Sequence, residues 1–443
     1  MHPPRAHDMT ACPALMISAP ASGQGKTSVT AAIARSAARR GRRVRVFKTG
    51  PDFLDPMVLE RASGAPVYQL DLFMAGADGC RALLAEAAAT ADLILVEGVM
   101  GLFDGAPSSA DLASEFGLPV LAVIDASAMA QTFAALATGL ARFRADVRVR
   151  AVVANRVGGA VHARMLREGL PPELPLLAAL ARDPALTLPE RDLGLVQAME
   201  LPRVDALLDA WADAWDAARD GADPLPFAPA EWPAPTPPAP SPATLAGVRL
   251  ALAHDACFSF VYPANLDCLR ALGATLLPFS PLAGDAVPDC DALWLPGGYP
   301  ELHADVLAAQ PAFFAALGAH LAADKPLLAE CGGMLCLLDS LADREGRATP
   351  MAGLMPGRAR MQSRFAALGL QAIEWPEGAL RGHSYHYSAL ETPLAPVARA
   401  SNPNGGPTAE ALYARGSLRA SYVHHYFPSN PAAVARFFAR TPA

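Results

Sequence analysis

The fold of the second half of the chain is decided by one stretch, Leu327-Leu328-Ala329-Glu330-Cys331-Gly332-Gly333-Met334. An apolar run that ends in a cysteine and two glycines predicts a buried strand, a tight turn and then a helix, with the thiol at the apex. We expect this turn to expose the sulfur atom and the helix N-terminus to lower the pKa of the thiol. A lone cysteine is more often a small core residue, but this turn favours Cys331 as a nucleophile.

A nucleophilic cysteine needs a base and donors that stabilise an oxyanion. His424 follows a predicted late strand and is the candidate base. Gly297 and Gly298 end another predicted strand, and their backbone N–H groups are candidate oxyanion donors. Tyr426 occupies the position two residues after the histidine, where an orienting acid is common, so the sequence predicts a cysteine–histidine dyad. His425 is the second candidate for the base.

The first half of the chain carries a glycine-rich motif after a predicted strand, Ser18-Ala19-Pro20-Ala21-Ser22-Gly23-Gln24-Gly25-Lys26-Thr27-Ser28. Backbone N–H groups of such a loop surround phosphates, the lysine reaches the terminal phosphates, and the threonine can bind Mg²⁺. Pro20 replaces the usual first glycine, but the strand before the loop and the helix after it still favour a nucleotide site over a plain turn. The predicted nucleotide-binding residues are Ser22, Gly23, Gln24, Gly25, Lys26, Thr27 and Ser28.

Two more predicted strands of this half run into acidic loops, at residues 48–56 and 97–105. Ligands of open parallel sheets bind at the carboxyl edge, where these loops meet. Acidic turns can also simply cap loops, but three ligand-type loops at one edge favour a site. The expected Mg²⁺ ligands are Thr27, Asp52 and Glu97, and the expected substrate-side residues are Lys48, Asp55 and Asp104.

Composition limits the classes of function. The 443 residues carry a formal net charge of −7, which disfavours binding to nucleic acid or anionic membranes. The seven cysteines are scattered and include no CxxC pair, so neither a disulfide framework nor a zinc knuckle is predicted. No apolar run is long enough to span a membrane. We expect a soluble, cytoplasmic protein with reduced thiols.

Proline density divides the chain. Residues 224–246 are rich in proline and predict an interdomain linker between a domain with the nucleotide motif at 12–223 and a domain with the Cys331 turn at 247–443. Short apolar segments alternate with helical patterns in both halves, which predicts two α/β domains with parallel sheets. The predicted strands are 14–17, 43–48, 93–97, 120–124, 149–154, 249–253, 275–278, 292–295, 326–330 and 421–424.

The two motifs predict linked reactions. A cysteine–histidine site of this type hydrolyses glutamine and releases ammonia. Ammonia does not condense with a carboxylate in water, but it attacks an acyl phosphate, which a P-loop site with ATP and Mg²⁺ can form. The sequence therefore predicts glutamine-dependent amidation of a carboxylic acid.

The chain closely resembles the cobyrinate / hydrogenobyrinate a,c-diamide synthase family of cobalamin biosynthesis in residues 48–56, 97–105, 329–334, 382–388 and 420–427. The resemblance implies a dethiobiotin-synthetase-like P-loop domain joined to a class I glutamine amidotransferase-like domain. It also implies amidation of the a and c acetate side chains of a corrinoid polycarboxylic acid, with ATP, Mg²⁺ and glutamine. The matching positions are Cys331 and His424 for the glutaminase, Lys26 and Thr27 for the nucleotide loop, and Asp52, Asp55, Glu97 and Asp104 for the synthetase site.

Several alternatives stay open. Cobyric acid synthase and nickel-sirohydrochlorin a,c-diamide synthase have related architectures. A MinD-like P-loop switch with an inactive glutaminase module belongs to another class, but such a switch is expected to carry Lys-Gly-Gly where this chain has Ala21, Ser22 and Gly23. The sequence does not separate a cobalt-containing from a metal-free ring, and it allows a homodimer.

Overall fold

The structure is a computed structural model that describes residues 9–187, 190–191, 194–195, 197, 200, 203–219, 229–233, 244–405 and 408–439. The chain divides into two compact units, Met1–Pro237 and Pro238–Ala443. Of the predicted linker, residues 224–228 and 234–243 lie outside the described residues.

The first unit is an α/β layer structure. Its strands are β1 (Met9–Cys12), β2 (Ala14–Ser18), β3 (Val44–Thr49), β4 (Tyr68–Leu70), β5 (Leu93–Glu97), β6 (Val120–Asp125), β7 (Val149–Val157), β8 (Leu176–Ala181), β9 (Glu190–Arg191), β10 (Gly194–Leu195) and β11 (Ala230–Pro233). Its helices are α1 (Lys26–Arg39), α2 (Leu54–Ser63), α3 (Gly76–Thr90), α4 (Ser109–Glu115), α5 (Thr132–Arg142), α6 (Ala160–Gly169) and α7 (Val204–Ala218).

A seven-stranded sheet in the order β4-β3-β5-β2-β6-β7-β8 forms the centre of this unit. All neighbouring pairs are parallel. Helices α1, α2 and α7 pack on one face, and α3, α4, α5 and α6 pack on the other. Because both faces are covered, the central strands are continuous apolar runs, and their carboxyl ends open at a single edge.

The predicted inner strands of the first unit match the structure to within one to three residues at each end. The sequence analysis missed the outer strands β4 and β8. Strand β4 has only three residues, and β8 has the sequence LLAALA, which favours a helix by intrinsic propensity. Here the tertiary context of a sheet edge overrides that propensity.

Helix α7 is held against α1 by charge as well as by packing. Arg35 Nε lies 2.7 Å from Asp209 Oδ1, and Arg39 Nη1 lies 2.8 Å from Asp213 Oδ1. The two aspartates are four residues apart and therefore share one face of α7. On the same helix, Trp211 and Trp215 are buried in the core.

The second unit contains strands β12 (Arg249–Ala253), β13 (Thr275–Phe279), β14 (Ala292–Leu295), β15 (Leu327–Glu330), β16 (Ser340–Ala342), β17 (Ala348–Pro350), β18 (Arg358–Met361), β19 (Ala367–Trp375), β20 (Gly378–His386), β21 (Ser388–Glu391), β22 (Ala398–Arg399), β23 (Ala411–Arg415), β24 (Leu418–Ser421) and β25 (His424–Tyr426). Its helices are α8 (Pro263–Ala271), α9 (Ala304–Ala308), α10 (Pro311–Ala322), α11 (Gly332–Leu335) and α12 (Pro431–Phe438).

The main sheet of the second unit has the order β13-β12-β14-β15-β24-β23-β22. Its first five strands are parallel, and β23 and β22 close one edge in antiparallel pairing. Strands β14, β15 and β24 are adjacent, so the loops that follow their carboxyl ends meet at one point. Smaller sheets, β17-β16-β18-β21 and β19-β20-β25, complete the described part of the unit.

The predicted strand at 421–424 is wrong in its bounds. Strand β24 ends at Ser421, and His424 begins β25, which pairs with β20 in a different sheet. The chain crosses between the two sheets at Tyr422 and Val423. Every residue from Ser421 to Phe427 is buried. No exposed residue separates the two strands, so the sequence contains no polar turn that would indicate the crossing.

In the part of the chain that the structure describes, no helix combines the length and the apolar character needed to cross a membrane.

Candidate active sites

Cys331 occupies a strained turn between β15 and α11. Its backbone has φ 44° and ψ −108°, a conformation that costs a non-glycine residue about 1–3 kcal/mol and is concentrated at functional sites. The following glycines make the turn possible. A Cβ on Gly333 would overlap the Leu295 carbonyl oxygen, and one on Gly332 would lie 2.8 Å from Pro300 Cδ.

The prediction that the sulfur atom is exposed is wrong. Cys331 is only 5% exposed, although it stands at the apex of the turn. Burial raises the pKa of the Cys331 thiol instead of lowering it, although the backbone N–H of Gly332 acts in the opposite direction. Helix α11 has four residues, which is too short to oppose this desolvation. Cys331, the candidate nucleophile, is therefore a neutral thiol at rest.

His424 and Gly297 lie directly beside the nucleophile. A Cβ built on Gly297 would overlap His424 Cε1 and lie 2.9 Å from His424 Nδ1 and 3.3 Å from Cys331 Cβ. The Phe260 ring centroid is 5.8 Å from that of His424. Burial lowers the pKa of His424 well below its ordinary value, and His383 lowers it further. The imidazole is neutral, so it is able to accept a proton.

Gly298 is as tightly enclosed as Gly297. It has φ 157°, and a Cβ on it would overlap the carbonyl oxygen of Cys257. Its backbone nitrogen lies 3.0 Å from the position that a Cβ of Gly332 would take. The structure therefore brings both predicted oxyanion glycines to the turn that carries Cys331.

Two buried histidines of the 382–388 segment contribute to the surroundings of His424. The His383 ring stacks on His424 with centroids 5.0 Å apart, and His383 Nδ1 lies 2.7 Å from the Tyr262 hydroxyl. His386 Nε2 lies 3.0 Å from Glu410 Oε1. The sequence analysis did not identify these partners, which lie 121 and 24 positions away along the chain.

Sequence analysis also missed a buried carboxylate beside the nucleophile. Glu330 is 1% exposed. It accepts hydrogen bonds from the His425 backbone N–H at 2.9 Å, from His425 Nδ1 at 2.7 Å and from Trp294 Nε1 at 2.9 Å. Its position immediately before Cys331 was the only signal, since its partners lie far away in the sequence.

In the first unit, the glycine-rich loop has the shape of a phosphate cradle. Gly23 and Gly25 have φ values of 76° and 94°, and a Cβ on Gly25 would overlap Asn155 Nδ2. Gln24 anchors the loop, because its Oε1 accepts from Asp125 N at 2.8 Å and its carbonyl accepts from Asn155 Nδ2 at 2.9 Å. Lys26 Nζ donates to the Met100 carbonyl at 2.6 Å.

Lys48 lies at the centre of the acidic loops. Its ammonium nitrogen is 2.6 Å from Asp55 Oδ2, 2.7 Å from Glu97 Oε1 and 3.4 Å from Asp52 Oδ2. Burial would lower the pKa of this ammonium, but the carboxylates raise it well above its ordinary value. Burial raises the pKa of Asp52 to about 7, with a further contribution from Asp55.

The residues predicted to bind Mg²⁺ fit that ion. Thr27 Oγ1 donates to Glu97 Oε1 at 2.9 Å, and Glu97 Oε2 is buried with no hydrogen-bond partner among the described residues. Within the described ranges, no three His, Cys, Asp or Glu side chains are arranged to hold a metal by themselves. This agrees with the usual behaviour of Mg²⁺, which takes one or two protein oxygens together with phosphate oxygens and water.

These groups face a cavity of about 1060 Å³ in the first unit. Besides the loop and the acidic cluster, its walls include Asn155, Arg156, Leu186, Trp211 and Ala214, which sequence analysis did not assign. Asp104 does not line this cavity. It is exposed, and its Oδ2 accepts from Gly101 N at 3.0 Å, which orders the loop after β5.

Comparison with known proteins agrees with this division. Residues 15–196 match the family model of the CobQ/CobB/MinD/ParA nucleotide binding domain. Residues 249–432 match the model of the CobB/CobQ-like glutamine amidotransferase domain. The fold and the two sites thus define the class of proteins that join a P-loop nucleotide-binding domain to a glutamine amidotransferase domain.

Within that class, the chain belongs to the hydrogenobyrinate / cobyrinate a,c-diamide synthase family. It is 58% identical to the hydrogenobyrinate a,c-diamide synthase of Pseudomonas aeruginosa, over 97% of this chain and 98% of the relative. It is 59% identical to the enzyme of that name from Stutzerimonas stutzeri, over 96% and 98%. It is also 49% identical to the cobyrinate a,c-diamide synthase of Herminiimonas arsenicoxydans, over 96% of each chain.

Proposed function

We propose that the protein is a cytoplasmic carbon–nitrogen ligase of cobalamin biosynthesis. It amidates the a and c carboxylates of hydrogenobyrinate or cobyrinate, with glutamine as the nitrogen donor and ATP as the activating substrate. The observation that carries the proposal is the near full-length similarity to relatives with these names, together with a nucleophile site and a phosphate site in one chain. The seven cysteines are all free thiols, as expected for a reducing compartment.

The glutaminase reaction begins from a neutral pair. Cys331 Sγ attacks the side-chain carbonyl carbon of glutamine while His424 takes the thiol proton. The backbone N–H groups of Gly297 and Gly298 stabilise the oxyanion. His424 then gives the proton to the departing nitrogen, so that ammonia leaves and a glutamyl thioester remains. Water hydrolyses the thioester to glutamate and restores the thiol.

The synthetase reaction takes place in the cavity of the first unit. The loop around Gly23 and Gly25 holds the phosphates with its backbone N–H groups, and Lys26 neutralises their charge. A Mg²⁺ ion held by Thr27, Asp52 and Glu97 would neutralise charge that develops on the transferred phosphoryl group. A substrate carboxylate attacks the γ-phosphorus of ATP, and ADP leaves. Ammonia then displaces phosphate from the acyl phosphate to give the amide.

Lys48 has a separate part in this reaction. Its ammonium offsets part of the negative charge of Asp52, Asp55 and Glu97. Without this compensation, three carboxylates at the sheet edge would repel a polyanionic substrate and nucleotide. The lysine therefore makes the acidic metal site compatible with anionic ligands.

Mass spectrometry of the product tests the proposal. The enzyme is incubated with ATP, glutamine and either the metal-free or the cobalt-containing acid. We expect two successive mass changes, each corresponding to the replacement of one OH by NH₂. The ring that is amidated faster is the preferred substrate. Absence of any ATP-dependent amide product with both rings would contradict the proposal.

Cys331→Ala separates the two half-reactions. We expect it to abolish glutamine-supported amidation and to retain amidation with free ammonia, because the described residues that line the synthetase cavity all belong to the first unit. Cys336→Ala is the matched control, since Cys336 is a fully buried thiol five residues further on. It should keep both activities. Equal loss of both activities in Cys331→Ala would contradict separate sites.

A further inference from the structure

A single buried carboxylate connects the strand of the nucleophile to the strand of the base. Glu330, the last residue of β15, uses Oε1 for both the backbone N–H and Nδ1 of His425, the middle residue of β25. Its Oε2 accepts from Trp294 Nε1 on β14. Three neighbouring segments of the site are thus tied to one side chain.

These contacts also determine which hydrogen bonds the ring nitrogens of His425 make. Its Nδ1 donates to Glu330 at 2.7 Å, and its Nε2 accepts from Trp375 Nε1 at 3.2 Å. Both ring nitrogens are engaged, and the ring is buried. His425 therefore has no nitrogen available for the thiol, which removes it as a candidate for the catalytic base.

The position of His425 determines the direction of His424. Successive side chains of a strand point to opposite faces. When His425 is held toward Glu330 and Trp375, His424 must point the other way, toward Gly297 and Cys331. Asn265 secures the same backbone, because it donates to the His425 carbonyl at 2.8 Å and accepts from Phe427 N at 2.8 Å.

We propose that Glu330 is a positioning residue that takes over the orienting task of the acid missing at position 426. Glu330 binds His425, the neighbour of the proposed base, and orients His424 through the backbone. It does not act on the imidazole of His424 directly. The proposal rests on the proposed glutaminase activity of Cys331 and His424.

Charge and geometry favour this role over simple packing. A buried carboxylate is costly unless all its contacts are satisfied, and an apolar residue would fill the same space with less cost. Glu330 supplies acceptors for three donors on two oxygens. A glutamine would place an NH₂ group against one of those donors, so the network requires an acid.

The test compares Glu330→Gln with the wild type for both nitrogen sources. We expect the glutamine-supported kcat to fall on the order of 10–100-fold. The KM for glutamine should change little, because the substrate contacts are retained, and ammonia-supported turnover should stay at the wild-type level. The rate of alkylation of Cys331 by a chloroketone analogue of glutamine should fall together with kcat, since both depend on the alignment of His424.

If Glu330 has only a structural role, we expect a different pattern of stability and kinetics. The melting temperature would fall, but kcat and the alkylation rate per folded molecule would match the wild type, and that result would overturn the proposal. If Glu330→Gln does not yield folded protein, Trp294→Phe and Trp375→Phe carry the test. The first removes a donor to Glu330, the second removes the donor to His425 Nε2, and both keep the carboxylate. Both should lower glutamine-supported kcat by a smaller factor, and wild-type kcat in both would also overturn the proposal. A failure of the proposed function is distinct, since the wild-type enzyme itself would then not hydrolyse glutamine.

Discussion

Gly297 shows how much of the glutaminase site depends on the absence of one carbon atom. The space that its Cβ would need is filled by the imidazole of His424 and by Cβ of Cys331. His424 and Cys331 approach each other through this gap. Any side chain at position 297 must move one of them.

We therefore predict that Gly297→Ala lowers glutamine-supported turnover at least about 100-fold by displacing His424, a loss typical of misplaced catalytic groups. Ammonia-supported turnover should be unaffected, and steady-state kinetics with the two nitrogen sources measures both. Gly318→Ala on α10 is the control. Its Cβ would make only an ordinary contact at 3.5 Å to Leu354, so wild-type kinetics are expected. Wild-type glutamine-supported turnover in Gly297→Ala would contradict the assigned geometry.

Glu97 carries the corresponding prediction for the synthetase site. Glu97→Gln keeps the size of the side chain but removes its negative charge. That charge faces Lys48 through Oε1, and Oε2 has no hydrogen-bond partner among the described residues. We expect amidation with either nitrogen source to fall about 100-fold or more, by loss of charge stabilisation, while glutamine hydrolysis continues. The thermal shift produced by Mg²⁺ with nucleotide should shrink as well. Asp78→Asn, an exposed acid on α3, should behave as wild type. An unchanged thermal shift in Glu97→Gln would show that Glu97 is not part of the metal site.

At the scale of elements, α7 forms one wall of the nucleotide cavity. Trp211 and Ala214 face the cavity from this helix, and the ion pairs to α1 hold the wall in place. A larger side chain on the cavity face of α7 must project into the space of the ligand.

Ala214→Leu is predicted to raise the Kd for nucleotide about tenfold, because overpacking of a rigid wall is unfavourable by about 1–3 kcal/mol. Glutamine hydrolysis should not change. Ala206→Leu places the same side chain on an exposed position of α7 and serves as the control. Nucleotide titration calorimetry measures both variants. Equal affinities in the two variants would show that this part of the cavity is not used by nucleotide.

Much of this architecture could be predicted from the sequence because its signals are local. A P-loop, an acidic strand end or a Cys-Gly-Gly turn can be recognised within a dozen residues, and the two α/β units that follow from them are confirmed. The crossing at Tyr422 and Val423 could not be predicted, because both adjoining strands are uniformly buried. The link between Glu330 and His425 joins residues that are 95 positions apart. The burial of Cys331 depends on tertiary packing around the turn, which has no local sequence pattern.

At the scale of the whole molecule, buried neutral histidines make the stability of the second unit dependent on pH. Burial lowers the pKa of His383 from 6.5 to about 3. The pKa values of His254, His320 and His424 are also lowered by burial. A histidine whose folded-state pKa is depressed contributes stability above its unfolded pKa and loses it as the pH falls. Glu301 opposes this trend, since burial raises its pKa to about 7.

We expect the four histidines to outweigh the one acid, so the unfolding temperature of the second unit should fall between about pH 7 and about pH 5. Thermal scans of the full chain across this range provide the measurement. Limited proteolysis with mass spectrometry assigns the early-unfolding segments to residues 238–443 or to the first unit. A constant or rising unfolding temperature for the second unit would show that its histidines are not held neutral by burial.

Lys48 has one further consequence for the enzyme between turnovers. Its ammonium is covalently attached to β3 and lies among the three carboxylates, so it remains there when the proposed Mg²⁺ ion is absent. Chelation should therefore stop catalysis without loosening the edge of the sheet. The resting protein carries its own permanent counter-ion, and each catalytic cycle can start from a cavity that is already assembled.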